Sequence, residues 1–156
     1  MAIWQFDFIV VPKENIIIKF KSYPEKINLD DIDDIGNWNH HNLIESTLKE
    51  LAIVLKPTKS WSDEIKQFGR IDESCVKLLY DKNILEEISV RLDLRNLTYE
   101  ILKPIINFIK ENNALIITDD GNLINAEINE LINQIKKSDS YSFVKNPKDF
   151  LMTLES

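Results

Sequence analysis

The sequence has few of the residues on which many catalytic and ligand-binding motifs depend. It contains one cysteine, two histidines and three scattered glycines in 156 residues. A single cysteine cannot form an internal disulfide, and nucleotide-binding loops need clustered glycines. No apolar run approaches the roughly 20 residues that a membrane-spanning helix needs. These absences argue against a disulfide scaffold, a P-loop or dinucleotide enzyme, and a membrane-spanning protein.

The length and composition are typical of one folded domain. The chain is 44% hydrophobic, which is enough to build one core without help from disulfides or metals. We expect a single domain over residues 1–156, because no repeat, low-complexity segment or linker divides the sequence. The N-terminal stretch MAIWQFDFIVV lacks the basic region and small-residue cleavage site of a secretion signal. The sequence therefore predicts a cytoplasmic protein.

The histidines and the cysteine do not form a catalytic or zinc-binding pattern. His40 and His41 are adjacent, so on a strand or a helix their side chains would not face one way. Neither has the HxxxH or CxxC spacing of a zinc site. Cys75 opens a predicted strand beside Val76 and Leu78, which favours a small buried thiol over a reactive one. We therefore expect neither a nucleophilic enzyme nor a zinc site.

An acidic stretch between residues 30 and 37 partly matches a calcium-binding loop. Asp31, Asp33 and Gly36 agree with positions 1, 3 and 6 of an EF-hand. The match then fails, because Ile35 would stand at position 5 and Asn42 at position 12, where a bidentate glutamate is expected. We expect no bound metal and no cofactor.

Acidic residues exceed basic ones, most strongly in one segment. The chain has 26 Asp and Glu against 19 Lys and Arg, for a net charge of −7. The segment from Glu25 to Glu50 holds seven acids and two lysines, a local balance of −5. This charge opposes general binding to nucleic acid or anionic membranes, and it attracts a basic protein.

The hydrophobic pattern predicts strands and helices in alternation. Alternating apolar and β-branched residues predict five strands, at residues 3–11, 16–20, 75–80, 86–95 and 114–118. Apolar stripes with helical spacing predict helices at residues 42–55, 60–68, 97–109 and 127–137, with a last helical turn from 146. Residues 22–41 show no periodicity, which indicates a long acidic loop.

These elements predict an α+β domain. The first four strands form two hairpins, and the helix after residue 96 connects strand 86–95 to strand 114–118 by a right-handed crossover. We therefore expect a mixed, mostly antiparallel sheet of about five strands, packed with three to five helices.

The stretch EISVRLDLRN, residues 87–96, alternates between apolar and polar residues. Its apolar residues would face the core, which places Arg91, Asp93 and Arg95 together on the opposite side of the strand. We interpret this row as a solvated salt-bridge ladder in which each residue tolerates replacement by threonine. A partner-binding surface and a small-anion or catalytic site are the alternatives.

In size, acidity and predicted sheet, the chain resembles bacterial immunity proteins, small inhibitors that neutralise a cognate toxin domain. No motif carries the resemblance, so it implies a class of function and assigns no residue. A basic, nuclease-like toxin domain would be attracted to an acidic loop that occupies its phosphate-binding groove. The residues predicted to bind this partner are Glu25, Asp30, Asp31, Asp33, Asp34 and Trp38, the last because large aromatic residues often anchor interfaces.

A second hypothesis makes the chain a small-molecule-binding domain or an enzyme. It would use the sheet face that carries Arg91, Asp93 and Arg95. A deep pocket lined by these side chains would favour this hypothesis, whereas a flat exposed sheet would count against it.

Overall fold

Seven strands form one sheet in the computed structural model, which describes residues 2–145. The strands are β1, Gln5–Pro12; β2, Pro57–Thr58; β3, Ile65–Phe68; β4, Cys75–Asp81; β5, Ile84–Asp93; β6, Ala114–Thr118; and β7, Leu123–Ile124. Their order across the sheet is β2-β3-β4-β5-β1-β6-β7, and every neighbouring pair is antiparallel. The N-terminal strand β1 therefore lies inside the sheet, between β5 and β6.

Six α-helices and one 3-10 turn, Leu29–Asp31, complete the described part of the chain. The helices are α1, Lys13–Phe20; α2, Ile32–Ile35; α3, Glu45–Val54; α4, Tyr99–Glu111; α5, Ile128–Lys136; and α6, Asp139–Lys145. Within residues 2–145 there is no helix with the length and apolar character that crossing a membrane requires. The predicted α+β fold class is confirmed, with more strands than the five expected.

The larger hydrophobic core lies between the sheet and helices α3, α4 and α5. Alternate strand residues enter it, such as Phe8 of β1 and its register partner Val90 of β5. The helices contribute apolar stripes that include Leu51, Ile105 and Leu131, all fully buried. Burial of these stripes against the sheet is the main favourable contribution to folding on this face.

A smaller core covers only part of the opposite sheet face. Ile16 of α1 and Ile35 of α2 pack there with Leu115 and Ile117 of β6. The half of this face formed by β4, β5 and the start of β1 lies outside this core and carries partly exposed charged side chains. We call this half the open face.

The two outer edges of the sheet are covered or short. Along β7, the Leu123 N–H donates to the Glu25 carbonyl (2.9 Å), and the Ile27 N–H donates to the Gly121 carbonyl (2.7 Å). At the other edge, β2 is two residues long and begins with Pro57, which has no N–H to donate. Neither edge strand therefore presents a long row of unpaired backbone groups.

The prediction of a strand at residues 16–20 is wrong, because these residues belong to α1. The isoleucine-rich sequence has high β propensity, but β1 already has β5 and β6 as partners and leaves no position for a hairpin strand. The helix buries Ile16 and leaves Ile18 60% exposed. Tertiary context has therefore overridden local propensity.

The predicted helix at residues 60–68 is also wrong. Residues 65–68 form β3, in which Ile65 pairs with Leu79 and Phe68 with Val76 on β4. Apolar residues at helical spacing were ambiguous in so short a segment, and pairing with β4 decides the outcome. Gly69 follows the strand with φ of +87°, a left-handed conformation that glycine adopts without steric cost.

Two predictions about connections also need correction. Strands β5 and β6 do run parallel on either side of the α4 crossover, but β1 lies between them, so the sheet has no parallel pair in the part of the chain described. Residues 22–41 are not all loop, since they include the 3-10 turn and α2. The helical turn predicted from residue 146 lies outside the described residues.

Trp38 does not lie on the surface, as a partner-binding residue would. Its side chain is 1% exposed within the larger core, and its indole Nε1–H donates to the Val10 carbonyl (2.9 Å). Its backbone N–H also donates to the Glu86 carbonyl (3.1 Å). The interpretation of Trp38 as an interface anchor is therefore wrong, because the residue fixes the acidic segment to the sheet.

Trp38→Ala should destabilise the fold by about 3–5 kcal/mol, because it leaves a large cavity in the core. Trp61→Ala is the matched control, since Trp61 is 84% exposed and its replacement should change the free energy of unfolding by about 0.5 kcal/mol or less. Urea unfolding measures both. Equal stability losses in the two variants would contradict the placement of Trp38.

Candidate functional site

An acidic groove lies on the open face between α2 and strands β4 and β5. It encloses about 340 Å³, and its lining consists of three acidic residues, two apolar residues, a glycine and an asparagine: Asp33, Glu86, Glu87, Ile32, Leu79, Gly36 and Asn37. No lysine or arginine lines it. Within residues 2–145, none of the three carboxylates forms an ion pair. The groove therefore gathers three acidic residues without a basic residue in its lining.

The other predicted acids do not line this groove. Asp30 and Asp34 are exposed, but Lys19 of α1 lies 3.3 Å from Asp31 and 2.9 Å from Asp34. Hydrogen bonds to these two aspartates raise the pKa of Lys19. Glu25 lies at the β7 edge, so the structure separates it from the groove.

Hydrogen bonds hold the acidic segment in place. The Asn15 side chain of α1 donates to the carbonyls of Ile35 (3.0 Å) and Asn37 (2.7 Å). At the end of α2, the Gly36 N–H donates to the Ile32 carbonyl (2.7 Å). These contacts fix the position of Asp33 relative to β5.

Glu86 and Glu87 were missed as candidate site residues. The alternation of β5 already contained the signal for one of them, because Glu87 shares its strand face with Arg91. What the sequence could not show is that α2 folds across the start of β5. That contact brings Asp33 to Glu86 and Glu87, although more than 50 residues separate them along the chain.

The charged row on β5 is not a continuous ladder. Arg91 pairs with Asp7 of β1 through two hydrogen bonds, from Nε to Oδ1 (3.0 Å) and from Nη2 to Oδ2 (3.1 Å). This pairing is the main cause that raises the pKa of Arg91. Asp93 pairs instead with Arg95, which lies beyond the end of β5 and stacks over the Trp4 ring at 4.2 Å. The predicted ladder is therefore wrong.

Asp93 is buried rather than solvated, with 1% of its surface exposed. Its carboxylate accepts hydrogen bonds from the Arg95 backbone N–H (3.0 Å) and from Arg95 Nε (2.9 Å) and Nη2 (3.0 Å). Burial raises the pKa of Asp93, but the interactions with Arg95 lower it by more, so the pKa lies below its ordinary value. The pair ties the end of β5 to the turn that follows.

The second hypothesis required a deep pocket at Arg91, Asp93 and Arg95. The structure instead shows a recess of about 200 Å³ that Arg91 lines and the other two do not. This volume lies below the roughly 300–1,000 Å³ of pockets for drug-sized ligands. The three residues therefore do not form one site.

The remaining candidate residues do not assemble a metal or nucleophile site. His41 contacts Asn15 (3.1 Å), and its ring stands edge-on to Trp38. Cys75 is buried, as predicted, and burial raises the pKa of its thiol. Across residues 2–145, no group of three or more His, Cys, Asp or Glu side chains is arranged to hold a metal ion.

Comparison with other proteins does not identify this site. No protein-family model, curated protein or solved structure matches the chain. The function of the acidic groove therefore has to be inferred from its own residues and geometry.

Asp93→Asn should lower the free energy of unfolding by about 2 kcal/mol at pH 7, because it removes a buried, charge-assisted hydrogen-bond acceptor. The folded-state pKa of Asp93 is depressed, so its contribution is present above the ordinary aspartate value of about 3.9 and is lost as the pH falls through the folded pKa. The difference between wild type and variant should therefore shrink below about pH 4.

Urea unfolding between pH 7 and pH 3 measures this difference. The control is Asp72→Asn, since the Asp72 carboxylate is exposed and pairs only with Arg70 among the described residues. That variant should stay close to wild type at all pH values. A stability for Asp93→Asn equal to that of wild type at pH 7 would show that the buried pair contributes nothing.

Proposed function

We propose that the chain is a protein-binding module of the immunity type, which neutralises a cognate toxin domain by binding it directly. The observation that carries the proposal is the acidic groove, where Asp33, Glu86 and Glu87 lie together without a basic neighbour in the lining. Like charges that line one groove without an ion-pair partner make a cation favourable there. A basic group from a partner would supply this cation.

The groove suits a lysine or arginine side chain of the partner. Such side chains have an aliphatic stem and a charged head group. The stem would pack on Leu79 and Ile32, while the head group would meet the carboxylates of Asp33, Glu86 and Glu87. A basic loop from a nuclease-like domain supplies such side chains, because nucleases hold phosphate groups with lysine and arginine. Occupying that loop would block access of the nucleic acid.

The anchoring of the acidic segment favours tight binding. Asn15 and Lys19 of α1 hold the segment from outside, and the buried Trp38 holds it from inside. A site held rigid before binding loses less conformational entropy when the partner arrives. The exposed Asp30 extends the negative field beyond the groove and would speed the encounter.

The test replaces the groove charges in a variant with Asp33→Asn, Glu86→Gln and Glu87→Gln. A matched control variant carries Glu50→Gln, Glu100→Gln and Glu111→Gln, which alter the net charge equally. These three control residues are exposed on α3 and α4, on the other side of the sheet. The partner to be tested is the product of the gene immediately upstream, purified after co-expression with this chain.

The groove variant should associate with the partner about tenfold more slowly than wild type at low salt, and the difference should shrink as salt rises. The association rate of the control variant should fall much less. Stopped-flow or surface plasmon resonance measures the rates, and urea unfolding checks that both variants fold. If both variants bind like wild type, the groove is not the interface. If the upstream product does not bind and does not act as a toxin, the immunity assignment fails.

A further inference from the structure

The recess beside the acidic groove has a charge arrangement of its own. Strand register places its side chains in two rows across the open face. In the first row Cys75, Arg91 and Asp7 are neighbours on β4, β5 and β1. In the second row Lys77, Ser89 and Ile9 are neighbours on the same strands. Asp119, one residue after β6, completes the lining.

The charges in the recess cancel in sum but are separated in space. Lys77 and Arg91 lie on β4 and β5, whereas Asp7 and Asp119 lie on β1 and after β6. Asp7 and Arg91 neutralise each other through their paired hydrogen bonds. Among residues 2–145, Lys77 and Asp119 form no ion pair. One cation and one anion therefore remain available at opposite ends.

The Asp119 carboxyl group lacks the compensation that Asp7 has. Asp119 is exposed. Partial desolvation raises the pKa of its carboxyl group, and the neighbouring Asp7 carboxylate raises it further, against a smaller lowering by Arg91. A cation placed between Asp119 and Asp7 would offset this unfavourable environment. At the other end, Ser89 lies directly across from Lys77 in the strand register, and its hydroxyl group forms no hydrogen bond within the described residues 2–145.

Between the cationic and anionic ends, the lining includes Ile9 together with Ser89 and the Asp7–Arg91 pair. Lys77 and Asp119 are three strand spacings apart across the sheet, or about 14 Å, and Asp119, which follows the Phe8 partner Thr118, is displaced further along the strands. Both residues line the recess, so their side chains shorten this distance. A ligand that meets both must therefore carry its charges on a short aliphatic spacer.

We propose that this recess binds a small aliphatic zwitterion, with its carboxylate on Lys77 and Ser89 and its ammonium group on Asp119. The methylene groups would lie over Ile9. A simple anion would be repelled by Asp119 and a simple cation by Lys77, so the recess selects a ligand that carries both charges. The volume of about 200 Å³ limits the ligand to a small molecule.

This site goes beyond the proposed function, since it uses none of the carboxylates in the acidic groove. The full-length protein labelled with ¹⁵N is titrated with glycine, 4-aminobutanoate and 6-aminohexanoate, followed by NMR of the backbone amides. Butanoate and butylamine are the controls that carry one charge each. The probes with methylene spacers should shift the amides of Lys77, Ser89 and Asp119, and the best should bind at least about tenfold more tightly than either single-charge control.

Two substitutions test the charged ends. Lys77→Met and Asp119→Asn should each weaken binding of the best zwitterion by about tenfold. Lys66→Met and Asp81→Asn are matched controls at exposed positions outside the recess and should bind like wild type. The amide spectra confirm folding of every variant.

Equal binding of butanoate, butylamine and the zwitterions would overturn the proposal, as would shifts that spread over the surface or survive both recess substitutions. An absence of binding at tens of millimolar would overturn it too. None of these outcomes bears on the acidic groove, whose carboxylates remain unchanged in all variants.

Discussion

The rest of the structure depends on the position of β1 inside the sheet. This strand pairs with β5 on one side and β6 on the other, although both come much later in the chain. It contributes Phe8 to the larger core and Val11 to the smaller one, so side chains pack against β1 on both faces of the sheet. The backbone hydrogen bonds of β1 are made with strands that are distant in sequence. The centre of the sheet can therefore form only when nearly the whole described chain has been assembled.

The position of β1 also decides the details of the open face. Asp7 meets Arg91 because their strands are neighbours in register, and the Val10 carbonyl accepts the hydrogen bond that holds Trp38. The acidic groove and the recess are both consequences of this arrangement. The groove forms where the segment anchored by Trp38 crosses β5, and the recess forms where Asp7 separates Arg91 from Asp119.

Much of the fold could be predicted from local sequence patterns. Each of these elements buries one face: the strands β4 and β5 and the helices α4 and α5. Burial of one face produces a regular spacing of apolar residues, which can be read directly from the sequence. The wrong predictions for the segments that form α1 and β3 have a different cause. These short segments have ambiguous or β-like patterns, and their structure was decided by which strand edges were already occupied.

The candidate site was less predictable for the same reason. Alternation correctly placed Arg91 on the polar side of β5, but it could not name Asp7 as its partner, since 84 residues separate the two. It also placed Asp93 on that side without showing its burial. The acidic segment was recognisable from composition, whereas its contact with Glu86 and Glu87 depends on a tertiary fold that composition does not encode.

The covered edges of the sheet constrain how any partner can be recognised. Residues 25–27 pair with residues 121–123 along β7, and the opposite edge ends in a two-residue strand that starts with proline. In the part of the chain described, the sheet therefore offers no long edge onto which a foreign strand could be added. Recognition must be carried by side chains on faces and grooves rather than by backbone hydrogen bonds. Specificity of this kind can change by surface substitution alone, with the backbone pairing of the sheet left intact.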